Sequence, residues 1–261
     1  MTVMIHELRQ NRTSFLVWTA AISFLLAVCI FLYPEMKDEM DGMNELFASM
    51  GSFTKAFGMD RLNFGTLKGF YAVECGNVLG LGGSLFGSLT AATMLSKEET
   101  NRTAEFLLSH PISRTAVAAQ KLAALMVLII AMNVVVFLVS IGCIALIGES
   151  SPWHELFLLH GACLLMQMEL AAICFAVSAF IKKGSAACGI GIALTLYFLS
   201  LIANISDKME FLKAVTPFGY FDPAAIVSEN SVVLPLLATG MLIGLAAIII
   251  AFVRYRKKDI L

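Results

Sequence analysis

The run VAAQKLAALMVLIIAMNVVVFLVSIGCIALI, residues 117–147, decides the fold class. Its only charged residue, Lys121, stands near the start, and the rest of the run is apolar apart from Gln120, Asn133 and Ser140. A soluble helix of that length needs a polar face to meet water. A bilayer span needs roughly 20 such residues. The run is therefore read as a membrane span with a turn to spare outside the hydrocarbon.

Working outward, five more runs qualify, and the spans are placed at roughly 14–33, 70–95, 117–147, 155–181, 186–203 and 232–253. Composition agrees, since 59% of the 261 residues are apolar and only 14% charged, whereas soluble domains carry about a quarter charged residues. The chain is expected to be one all-α integral membrane domain over residues 1–261. The N-terminal run is too long for a signal peptide, and no small-residue cleavage site follows it, so it is expected to stay as the first span. All six cysteines fall in or beside apolar runs without a C-x-x-C, which fits small buried hydrophobes and not a metal site or disulfide framework. The basic residues form short clusters beside spans, so no nucleic-acid face is expected.

Lys and Arg beside the spans set the orientation. With the N-terminus inside, 12 of the 18 basic residues are cytoplasmic: Arg9, Arg12, Lys97, Arg102, Arg114, Lys121, Lys182, Lys183, Arg254, Arg256, Lys257 and Lys258. Six spans then give N-in and C-in. Before the first span, Met4, Ile5 and Leu8 share one helical side and Glu7, Arg9 and Arg12 lie elsewhere, which predicts a short interfacial helix on the inner leaflet. Outside, Leu46, Phe47, Met50 and Phe53 or Phe57 recur near a helical period, which predicts one or two amphipathic helices at the outer surface. The segment 204–231, broken by Pro217 and Pro223, is expected to dip back toward the membrane, where irregular backbone must be shielded by protein or water.

Between the second and third spans lies SKEETNRTAEFLLSHPISR, residues 96–114. Ser96 and Glu99 have capping-box spacing, and Glu98 and Glu99 suit a helix N-terminus. Ala104, Leu107 and Leu108 fall on one face, and Pro111 ends the helix. The spacing predicts a helix over 97–109, with Ser113 capping the next. Three glutamates against two basic residues suit an anionic leaflet poorly. Docking into a groove of another protein suits them better.

This loop resembles the first cytoplasmic loop of ATP-binding-cassette permeases of the ABC-2 type. The resemblance rests on Glu98-Glu99, Thr103, Glu105, Leu107-Leu108-Ser109, Pro111-Ile112-Ser113-Arg114 and Lys121. Arg102 departs from the pattern, standing where the family commonly has Gly. The resemblance implies a coupling helix (Ser96, Glu98, Glu99, Arg102, Thr103, Glu105, Leu107, Leu108, Pro111) that docks on an ABC ATPase subunit. It implies a smaller contact at Lys182 and Lys183. It further implies a homodimer or heterodimer of permeases exporting a substrate across a plasma or inner membrane, in a prokaryotic setting. No G-x-x-x-x-G-K-[ST] occurs, so the chain is not expected to be an enzyme or to bind a cofactor. ATP and Mg are expected in the partner.

Within the membrane, Gly76, Gly80, Gly83 and Gly87 recur at helical spacing, which favours close helix packing. Asn133, Gln167 and Glu169 are candidates for lining a pathway, since ionisable groups at that depth face a bundle interior or water. The bland reading is a Glu169 bonded to a neighbour such as Asn133. A proton-coupled secondary transporter or channel centred on Glu169 is the alternative function. His154, Glu155 and His160 are read as interface residues at the outer end of the fourth span.

Overall fold

The computed structural model describes residues 2–37, 50–104, 112–182 and 185–258. Helix α1 (Thr2–Lys37) fuses two elements that were expected to be separate, the interfacial helix and the first span. No Gly or Pro lies between Val3 and Tyr33 to break it. Its buried residues are Val3, Glu7, Thr19, Ile22, Leu26, Ile30 and Tyr33, at steps that keep to one stripe. Glu7 is thus on the inward face, not on the polar side to which its charge had assigned it.

A short helix α2 (Ser52–Ala56) is the described part of the expected amphipathic segment; Leu46 and Phe47 lie outside the described residues. Helix α3 (Leu67–Glu74), a π-helical turn (Cys75–Leu81) and α4 (Gly82–Met94) run on without a break, because the junction residues Cys75 and Gly82 keep right-handed helical angles. Thr66 caps the run by accepting from Gly69 N at 3.3 Å. Then come α5 (Lys97–Thr100), α6 (Arg114–Leu146), α7 (Trp153–Phe180) and α8 (Ala186–Ile205). Ser113 caps α6 through Ala116 N at 3.2 Å, the cap its sequence position predicts. After two 3-10 turns (Asp207–Ala214 and Pro217–Gly219) the chain ends in α9 (Pro223–Glu229) and α10 (Leu234–Lys257). The described residues contain no strand.

Among the described residues, five helices are long and apolar enough to cross a membrane: α1, α6, α7, α8 and α10. The most apolar stretch of α7 is 67% buried, against 17–39% in the other four, so α7 is the central helix. Around it the helices close on small residues. A Cβ on Gly189 of α8 would collide with the Ser88 carbonyl of α4, so α8 and α4 touch backbone to backbone. The segment before α10 folds back into the bundle, burying Phe218, Tyr220, Phe221, Ile226 and Val227. Asp222 holds its turn together by capping Ala224 N and Ala225 N and pairing with Arg61 at 2.7 Å.

Most of the charged residues gather at the two ends. One end gathers the start of α1, the 95–104 segment, residues 181–182 and the end of α10. There Lys258 Nζ donates to Ile181 O at 2.8 Å, and Arg254 sits over the Phe180 ring. At the other end Lys37 pairs with Glu149 at 2.7 Å and Lys68 with Glu155 at 3.3 Å.

Candidate functional site

The loop between α4 and α6 is not the uninterrupted helix its pattern predicts. Only Lys97–Thr100 is helical before the chain turns. The expected capping box is absent: Ser96 makes no cap bond, and its hydroxyl turns back to Thr93 O at 3.5 Å. Glu99 pairs instead with Lys258 at 2.9 Å. The turn that ends α5 is specific. Arg102 N donates to Glu99 O at 3.2 Å and Thr103 N to Glu98 O at 2.9 Å, while Arg102 itself sits at φ 57°. This pair of bonds around a left-handed residue is a Schellman motif, and its left-handed position normally belongs to Gly. Asn101, Arg102 and Thr103 are all exposed and Ala104 is buried. Glu105, Leu107, Leu108 and Pro111 lie outside the described residues.

Beneath this turn, charged groups from four chain segments meet. Lys121, near the start of α6, is fully buried and donates to Glu7 Oε1 at 2.9 Å, to Glu98 Oε1 at 2.5 Å and to the Met94 carbonyl at 2.7 Å. Burying an ammonium costs several kcal/mol unless its donors are met. Here all three N–H groups find acceptors, two of them carboxylates. Lys121 was counted with the cytoplasmic basic residues, and its partners bury it inside the end of the bundle. The second oxygen of Glu7 pairs with Lys97, whose ammonium also donates to Gln10 Oε1 at 2.6 Å. Lys258, 3% exposed, ties the end of α10 to Glu99 and to Ile181 O. Arg114 donates to the main-chain carbonyls of Arg256 and Lys258.

The cluster tunes its own charges. Burial alone would raise the Glu7 carboxyl, but Lys121 and Lys97 outweigh it and hold it below the usual carboxylate range. For Lys97, burial and the neighbouring Lys121 pull the ammonium below its ordinary range, against the opposing pull of Glu7 and Glu98. A cavity of about 400 Å³ opens beside the turn, between Thr2, His6 and Gln10 of α1 and Asn101, Thr103 and Ile112.

Sequence reasoning missed Glu7 and Lys258. Glu7 had a signal. Counting back from Leu26 along the buried stripe in steps of three and four reaches Glu7 and then Val3. Lys258 had none, since it lies past the last apolar run and its partner is 159 positions away in a loop. Lys182 is exposed, and Lys183 lies outside the described residues.

The intramembrane candidates separate into two groups. Asn133 Nδ2 donates to Gln167 Oε1 at 2.7 Å, and Gln167 Nε2 donates to Leu79 O at 3.0 Å, joining α6, α7 and the π turn. Glu169 lies elsewhere on α7: its partner is Tyr220, whose hydroxyl donates at 2.9 Å, and not Asn133. Gly240 and Gly244 of α10 leave room for the Glu169 side chain. The glycine stripe also meets partners within the chain. A Cβ on Gly76 would stand 2.6 Å from Pro223, one on Gly80 would stand 2.7 Å from Phe221, and Gly83 abuts Gln167. Gly87 faces Ile129 and Ala171 at ordinary contact. His160 is buried, with Nε2 2.7 Å from the Tyr71 hydroxyl.

Residues 1–260 match the family model described as ABC-2 family transporter protein. No curated protein matches the chain.

Proposed function

The chain belongs to the ABC-2 family of transporter proteins, and on that premise we propose that it is the permease subunit of an ATP-driven exporter, docked on separate ATPase subunits and working as a homodimer or heterodimer. The family domain is of permease type and not catalytic, so ATP and Mg belong to the partner. The whole chain is one permease domain with six spans, the second being the continuous helical run 67–94. At 1.5 Å per residue that run reaches about 42 Å, enough to cross a bilayer. The start of α1, the end of α10, the 95–104 segment and residues 181–182 share one end with most of the described basic residues, which supports placing that end in the cytoplasm of a prokaryotic cell, under its plasma or inner membrane.

One observation carries the coupling reading. The 97–103 segment is clamped by buried charges to α1 through Glu7, to α6 through Lys121 and to α10 through Lys258. A push on that segment therefore reaches three spans at once, as rigid-body gating requires. Glu105, Leu107, Leu108 and Pro111 complete the proposed docking face, and Lys182 and Lys183 form a lesser one. Asn133, Gln167 and Glu169 have their side chains engaged by neighbouring helices, which favours a part in holding the bundle over one in carrying protons.

Purification of the full-length protein in mild detergent tests the proposal. An ATPase subunit carrying a Walker A motif should copurify, and a Leu107→Ala/Leu108→Ala variant should insert normally but lose transport-coupled hydrolysis. Transport by the purified chain alone, in vesicles without nucleotide, would overturn it.

A further inference from the structure

Resting on the coupling reading, we propose that Arg102 is the specificity contact of this permease for its ATPase, and that its partner is a carboxylate on the ATPase surface. Three observations converge on it. Arg102 occupies the left-handed position of the Schellman turn, where a side chain costs roughly 1–2 kcal/mol relative to Gly. Strain of this kind persists where the surroundings hold it, and it gathers at functional contacts. The hold is visible here, because Glu98 and Glu99, whose carbonyls close the turn, have their carboxylates fastened to Lys121 and Lys258.

The second observation is what the Arg102 side chain does inside the chain. It is exposed, and its guanidinium makes no hydrogen bond or ion pair among the described residues. Among the described acids nearby, Glu7, Glu98 and Glu99 each pair with a lysine, and the second oxygen of Glu98 is buried without a partner, away from the exposed Arg102 side chain. A positive charge on a strained backbone therefore gains nothing from the described part of the chain, and Gly would relieve the turn.

The third is geometric. A lipid phosphate asks only for a charge near the headgroups, and a flexible basic side chain at a span end suffices for it, the kind of group that Arg256 and Lys257 place, exposed, in the last turn of α10. A fixed backbone with an arginine on it suits a planar, two-pronged partner, and a carboxylate is that partner. The exposed neighbours Asn101 and Thr103 flank it and line the adjoining cavity, so the partner surface would engage all three.

The test uses full-length permease in nanodiscs of neutral lipid and the ATPase subunit that copurifies with the wild type. Arg102→Gly relieves the backbone, so folding is not at risk. Its unfolding temperature should equal or exceed that of the wild type. Its affinity for the ATPase should fall about 10- to 100-fold, the weight of a charge-assisted hydrogen bond. Arg102→Glu should bind still more weakly, and reversing an acidic residue of the ATPase groove to Arg should restore it. Undiminished binding by Arg102→Gly would overturn the inference. So would a loss seen only in nanodiscs with anionic lipid, which would assign Arg102 to headgroups. If no ATPase accompanies the wild type, it is the coupling reading that fails.

Discussion

The end of the bundle that carries both termini and the middle of the bundle are both polar inside, by opposite means. At the end, full charges are buried: Lys121 against Glu7 and Glu98, and Lys258 against Glu99. In the middle the bonds running from Asn133 through Gln167 to Leu79 O are neutral, the carboxyl of Glu169 against Tyr220 is the exception, and the helices are held close by glycine. The difference teaches where the molecule can be moved. Amide bonds between glycine-packed helices resist sliding and do not answer to pH. A charged cluster answers to pH and to any partner that competes for its ions, and it sits directly beneath the segment proposed to receive the ATPase.

The largest expected effect breaks the charged side of this comparison. Lys121→Met leaves Glu98 without its cation and Glu7 with only Lys97. Removing one partner of a buried ion cluster costs about 3–5 kcal/mol, and unfolding in detergent should show a loss of that size. Adding Glu7→Gln and Glu98→Gln to Lys121→Met should return most of it, because no buried carboxylate is then left unpaired. The cluster also sets a pH signature. Glu7 has its folded pKa depressed, so its contribution is present above the unfolded value near 4.5 and is lost as pH falls through the folded value. Lys97 is depressed as well, so the unfolded chain holds its proton to higher pH, and stability rises again as pH climbs toward 10.5. Glu7→Gln should remove the acid limb. An unchanged acid limb would mean that Glu7 is not held as a charged group.

The same division explains what could be read in advance. Apolar runs are legible because lipid leaves the backbone no alternative to a helix, and α6, α7, α8 and α10 fall within a few residues of their expected positions. The fusion of α1 was legible too, in the absence of any breaker between Val3 and Tyr33, but the charges of Glu7, Arg9 and Arg12 argued for a separate surface helix. What defeats a local reading is pairing across distance. Glu99 has a capping-box neighbour three residues away in Ser96, yet its partner is Lys258, and no spacing rule connects them. Arg102 lies between these cases: its departure from the family's glycine was visible, and the left-handed turn supplies the reason.

The next prediction sharpens the neutral side. Gln167→Ala removes the bonds to Asn133 and to Leu79 O. Hydrogen bonds between membrane helices are worth about 1–2 kcal/mol at most, so the loss should be of that size, well below that of Lys121→Met. It should also be the same at pH 5 and pH 8 and in low and high salt, because no charge is involved. A pH-dependent loss would mean that the middle of the bundle communicates with an ionised group, and the two regions would not be as separate as their chemistry implies.

The smallest expected effect decides whether charge or burial makes the terminus-bearing end costly to disturb. The opposite end has its own ion pair, Lys37 with Glu149 at 2.7 Å, but the two side chains are 44% and 29% exposed. Water and salt screen such a pair, and exposed pairs are worth about 0–1 kcal/mol. Lys37→Ala should therefore cost no more than that, and the cost should vanish in high salt. The Lys121→Met penalty should persist there, since buried charges are screened far less. If Lys37→Ala instead matched Lys121→Met, burial would not be the cause of the larger effect. The case for the terminus-bearing cluster as the clamp on the coupling segment would then lose its physical footing.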